Sequence, residues 1–141
     1  MPVRLRPADP VEVAHALGRL EAGQDERSDL KLLVKHFLAV LEERVPGRSV
    51  ELRVPPYAAV QVVPGVRHTR GTPPAVVELD ARTWIDLATG ATDWTTAAAE
   101  GRLRASGERT DLSAHLPLHG AQRSIPCSHD GDDLHRRDDD A

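Results

Sequence analysis

The chain has little aromatic content, one cysteine and no strong charge of either sign, and each shortage excludes something. Only 3% of its 141 residues are aromatic: two tryptophans, one tyrosine and one phenylalanine. Hydrophobic residues make up 40%, so any core is built mostly of Val, Leu and Ala. Such side chains fill an interior evenly and can equally line a smooth apolar cavity. The single cysteine, Cys127, excludes an intramolecular disulfide and fits a reducing compartment. No apolar run approaches the ~20 residues that span a bilayer. The opening MPVRLRPADP lacks the apolar segment of a secretory signal, so the expected location is cytoplasmic. Formal net charge is −4, most of it from the six acids and three bases that follow residue 118. A near-neutral body offers no one-signed basic face, which argues against nucleic-acid binding. GxSxG, HExxH, P-loop and GxGxxG patterns are all absent. His15 and His36 fall on expected helices, and His115 stands four residues after Asp111. These read as boundary and surface residues, so no catalysis and no cofactor are expected.

What is present is periodicity. Residues 1–9 read as a polar arm. Pro10 suits a first helical turn behind a capping Asp9, and Val13, Ala16, Leu17 and Leu20 recur at helical spacing before Gly23. Ser28 or Asp29 is the expected cap of a second, longer helix, with Leu30, Leu33, Val34, Phe37, Leu38 and Leu41 on one face. Its Lys31, Lys35, Glu42 and Glu43 fall largely on the other. Val50, Leu52 and Val54 alternate with Glu51 and Arg53, as in a strand with one wet face. YAAVQVV and AVVELD predict two more strands, separated by the basic, turn-rich VRHTRGTPP. Asp80 and Gly90 bracket a helix over ARTWIDLATG, Asp93 and Gly101 a shorter one over WTTAAAE, and RLRAS predicts a returning strand. DLSAHLPL reads as one or two helical turns, with a strand as the alternative. From residue 119 onward there is no apolar period and the charge is blocky, which predicts disorder.

These elements predict an α+β fold: a mostly antiparallel sheet of four to five strands covered on one face by helices. The expected organisation is an arm and short amphipathic helix over 1–27, a domain over 28–118 and an acidic tail over 119–141.

The central stretch carries a resemblance. Trp84 in a helix, Leu87, Thr89-Gly90, an alanine-rich helix, then Gly101-Arg102-Leu103 and Ser106-Gly107 resemble the sterol carrier protein 2 family. The closest likeness is to its compact actinobacterial branch, over about residues 28–118, and RHTRGTPPAVVELD is similar to that branch too. The resemblance implies an apolar tunnel between sheet and helices and a binder of lipids or other hydrophobic molecules without its own chemistry. The fold also serves as an accessory domain in multi-domain enzymes.

Four candidate sites follow. The first is an apolar cavity lined by Phe37, Leu41, Val60, Val62, Val77, Leu79, Trp84, Leu87 and Leu103; the bland reading of the same stripes is a filled core. The second is the loop Arg67, His68, Thr69 and Arg70, whose guanidiniums suit an anionic head group; the alternative is a solvated loop. The third is the tail group Cys127, His129, Asp130, Asp132, Asp133 and His135. It has no structural-zinc spacing, so no metal is expected. The fourth, catalysis at Asp111 and His115, is weakest, because such a polar pair is usually surface. The partner expected is therefore a hydrophobic small molecule or lipid, with no nucleic acid and no membrane-spanning segment. The alternative is an accessory module with a filled core that docks a partner enzyme.

Overall fold

The computed structural model describes residues 5–65, 75–107 and 110–118. In chain order these form α1 (Pro10–Glu21), α2 (Arg27–Arg44), β1 (Pro46–Val54), β2 (Ala58–Val62), β3 (Ala75–Leu79), α3 (Ala81–Thr89), α4 (Trp94–Ala99) and β4 (Leu103–Ser106). A 3-10 turn, Ser113–His115, follows, so the ambiguous DLSAHLPL segment is one short helical turn.

Local chemistry explains α3 and α4 fully. Asp80 accepts hydrogen bonds from the Thr83 N–H (3.4 Å) and the Thr83 hydroxyl (2.6 Å). Gly90 closes α3 at φ +87°, a left-handed conformation that costs an L side chain about 1 kcal/mol or more. Asp93 accepts from the Thr96 N–H at 2.8 Å, and that bond holds its carboxyl below the usual range.

The first two helices differ from the capping expected. Asp9 occupies the cap position of α1 but makes no side-chain bond there. The cap residue of α2 is Glu26, not Ser28 or Asp29, and it too makes no side-chain bond. Asp29 is the third residue of α2, buried, and accepts from Arg19 of α1: Nε to Oδ2 at 2.8 Å and Nη2 to Oδ1 at 2.9 Å. A two-bond fork to a guanidinium outweighs one bond to a helix-end N–H.

The sheet has four strands in the order β2-β1-β3-β4. β1 pairs antiparallel with β2 and parallel with β3, and β3 pairs antiparallel with β4. The sheet is thus mixed. β1 sits between β2 and β3, so the chain from β2 to β3 must pass one strand before pairing. Val50, Leu52, Val54, Val60, Val62, Ala75, Val77 and Leu79 are buried on the face toward the helices. On the opposite face Arg53 is in register with Glu78, and Glu78 with Arg104, a cross-strand row of alternating charge.

One irregularity shapes the start of β1. Pro46 and Val50 both stand opposite Val62, the mark of a bulge. Val63 adopts φ +72°, unusual for a β-branched residue. Its carbonyl accepts from the Ser49 N–H (3.1 Å) and the Ser49 hydroxyl (2.6 Å), and its N–H donates to the Val45 carbonyl (2.7 Å). A Cβ on Gly47 would strike that same Val63 carbonyl, so only glycine fits.

α2 lies across β1 and β2, while α1 and α3 pack against α2 and α4 against β4. One hydrophobic cluster fills the space between sheet and helices, running from Val13 of α1 to Leu118 after the 3-10 turn. No helix among the described residues is long and apolar enough to cross a membrane.

Candidate functional site

The nine residues nominated for an apolar site converge in this one layer. Phe37 and Leu41 come down from α2, Trp84 and Leu87 from α3, and Val60, Val62, Val77 and Leu79 rise from the sheet. These eight are buried; Leu103, on β4, is half-buried and packs against the same cluster. The Trp84 indole N–H donates to the Val34 carbonyl at 3.3 Å and so ties α3 to α2 across the layer. Leu41, Val62, Val77 and Trp84 are each 0% exposed. A side chain beside a water-sized void would show accessible surface, so no such void touches these four.

Sequence periodicity missed part of the layer. Leu112 and Leu118 are each 1% exposed and belong to the cluster. The Leu118 N–H donates to the Ala88 carbonyl at 2.8 Å, while Nη2 of Arg44 donates to the Leu118 carbonyl at 3.4 Å. The chain after β4 is thereby pinned to α3 and to the end of α2. Its only sequence signal is the spacing of Leu112, Leu116 and Leu118 around a proline, too short a run to define a face.

The polar groups form a brace beside the layer. Arg102 donates from Nε to the Thr83 hydroxyl (3.2 Å) and from Nη2 to Asp86 (3.1 Å). Arg82 reaches Asp86 (3.6 Å) and Asp25 (3.2 Å). Each carboxylate here is engaged by a guanidinium, and none stands beside a nucleophile with a base. Arg19, hydrogen-bonded to Asp29, holds that carboxyl below its ordinary range despite burial, which works the other way. Asp111 is lowered by the Ser113 N–H it accepts from at 2.9 Å, a bond that ties its carboxylate to the start of the 3-10 turn. Nδ1 of His36 accepts from the Ala8 N–H at 2.9 Å and thereby holds the arm before α1 against α2. His15 is exposed on α1.

Arg67, His68, Thr69 and Arg70 lie outside the described residues, as does the tail group with Cys127 and His129. Among the described residues no three His, Cys, Asp or Glu side chains cluster as metal ligands would. Two of the clefts lined by described residues open on the helical side. One of about 510 Å³ lies between α1 and α3, beside Leu17, Gly18, Arg82, Ile85 and Thr89. The other, of about 520 Å³, lies between α2 and the turn after β1. None of the nine nominated residues lines either cleft.

A protein-family model described as "Bacterial SCP ortholog" matches residues 26–118. The match begins at the cap residue of α2 and ends at Leu118, so it takes in the four strands and every helix except α1. No curated protein matches the chain.

Proposed function

The chain belongs to the bacterial SCP ortholog family, a sterol carrier protein-like family, and from that premise we propose that it is a small cytoplasmic carrier of lipids or other hydrophobic molecules. A lipid-carrier role without catalysis goes with the family. For this chain we extend it to the specific layer between sheet and helices, and to the absence of any reaction of its own.

The observation that supports this reading is the composition of that layer. Phe37, Leu41, Val60, Val62, Val77, Leu79, Trp84 and Leu87 present apolar surface from two helices and two strands with no charged group among them. Sites for hydrophobic ligands are lined in this way. The layer is closely packed, so a ligand must part it on binding. Leu103 marks where that parting is least costly, because it is the one of the nine that is only half-buried. We place access at the β4 edge for that reason.

Two measurements test the reading together. Native mass spectrometry of the protein purified from its cells is expected to show co-purifying lipid. The bare protein is expected to melt at higher temperature with fatty acids or sterols, since a ligand at one hundred times its Kd adds about 2.7 kcal/mol to the stability of the native state. A bare protein whose melting temperature no such ligand moves would instead leave the accessory-module reading.

A further inference from the structure

Arg27, Lys31 and Lys35 follow one another at four-residue intervals on α2, a row about 12 Å long on one side of the helix. No acid stands three or four positions from any of them. Like charges at that spacing repel, so the row destabilises α2 as a free helix would feel it. Elsewhere guanidiniums meet carboxylates: Arg19 with Asp29, Arg53 with Glu51, Arg82 with Asp25 and Asp86, Arg102 with Asp86 and Glu100. Among the described residues no ion pair reaches Arg27, Lys31 or Lys35. In a chain whose net charge is negative, this row is a local excess of positive charge.

The row also has a wall opposite it. Pro56 and Tyr57, in the turn between β1 and β2, face it across the cleft of about 520 Å³, and Ser28 completes the lining. The cleft thus offers two ammonium groups, one guanidinium and two hydroxyls, with no carboxylate in its lining. It opens beside the first turn of α2, where no side chain caps the helix and the helix dipole favours an anion. Lys35 and Tyr57 are half-buried, so their charge and hydroxyl are screened less than on an open surface.

We propose that this cleft binds a phosphate group. Lysines act on phosphate as strongly hydrated point charges, and the arginine adds a planar fork of donors. The phosphate can belong to a lipid head group or to a small free phosphate ester. The site includes none of the nine residues nominated for the apolar layer and stands independently of the carrier reading.

The full chain is titrated by calorimetry with inorganic phosphate. It is also sedimented with vesicles of phosphatidylcholine alone and of phosphatidylcholine mixed with phosphatidylglycerol. Binding that weakens with added salt is expected in at least one arm. Phosphate binding in solution points to a free ester, whereas binding to the phosphatidylglycerol vesicles alone points to a head group. In either arm Lys31→Gln/Lys35→Gln is expected to weaken binding on the order of tenfold or more, the size of a lost charge-assisted hydrogen bond. Arg53→Gln/Arg104→Gln removes the same charge from the open sheet face and is expected to bind as wild type. The lysine variant is expected to melt no lower than wild type, because two repelling charges are gone. No binding in either arm, or equal loss in both double variants, overturns the proposal.

Discussion

Trp84 joins packing and polarity in one side chain. It is 0% exposed, and its indole N–H still finds an acceptor in Val34 on the neighbouring helix. Trp84→Phe keeps most of the buried surface and removes the hydrogen bond, so a loss of about 1 kcal/mol is expected, with a further contribution from the smaller ring. Trp84→Ala also empties the centre of the layer and should cost about 3–5 kcal/mol. Chemical denaturation of both variants checks the two values, and near-equal losses would mean that the ring packs little. Asp29 makes a prediction about pH. Its folded pKa is lowered, first by the hydrogen bond from Arg19, so its stabilisation is fully present above the ordinary carboxylate range. It fades as pH falls through the lowered value. In Arg19→Gln the lowering is removed. The gap in melting temperature between wild type and that variant should therefore be widest near neutral pH and close in acid. A gap that stays constant would show that Arg19 acts by packing alone.

At the scale of elements, capping separates what the sequence makes legible from what it hides. Asp80, Asp93 and Gly90 act within three or four residues of themselves, and all three do in the structure what their positions predict. Asp29 looks like a cap of the same kind but is drawn to Arg19, ten residues away on another helix, a partner that no local pattern reveals. Asp9 likewise stands at a cap position without making the bond. Asp80→Ala is accordingly expected to cost about 1 kcal/mol, while Asp9→Ala should change stability by no more than a few tenths. Urea unfolding of the pair tests this, and equal losses would contradict it. Strand identity was legible from alternation in β3 and in β1 from Val50 onward, where every second residue is buried. The parallel pairing of β1 with β3 was not, because pairing partners are set by the path of the chain after β2 rather than by either strand. Leu112 and Leu118 escaped for a related reason: a segment with one 3-10 turn has no period to read, and the bonds of Leu118 to Ala88 and Arg44 that pin it are long-range. The sequence places Lys31 and Lys35 on the polar face of α2, but the cleft they share with Tyr57 shows only in the fold.

At the scale of the whole molecule, the fold is one wet sheet face, one apolar layer and a helical cover braced by Arg19, Arg82 and Arg102. The family match covers the sheet and the elements that close the layer, which agrees with the stretch whose Trp84, Leu87 and glycines resemble sterol carriers. The sequence named eight buried members of that layer because helical and strand stripes mark any interior. It could not distinguish a packed interior from one that opens, since the same aliphatic side chains serve both. The carrier reading turns on that difference. The most direct measurement is methyl NMR of the full chain, labelled at Val, Leu and Ile, as palmitate is added. Saturable shifts are expected at Val60, Val62, Val77, Leu79, Leu87 and Leu103, together with a rise in melting temperature. Methyls of the layer that stay unmoved at saturating palmitate, or shifts confined to Leu17 and Ile85 beside the α1–α3 cleft, would contradict it.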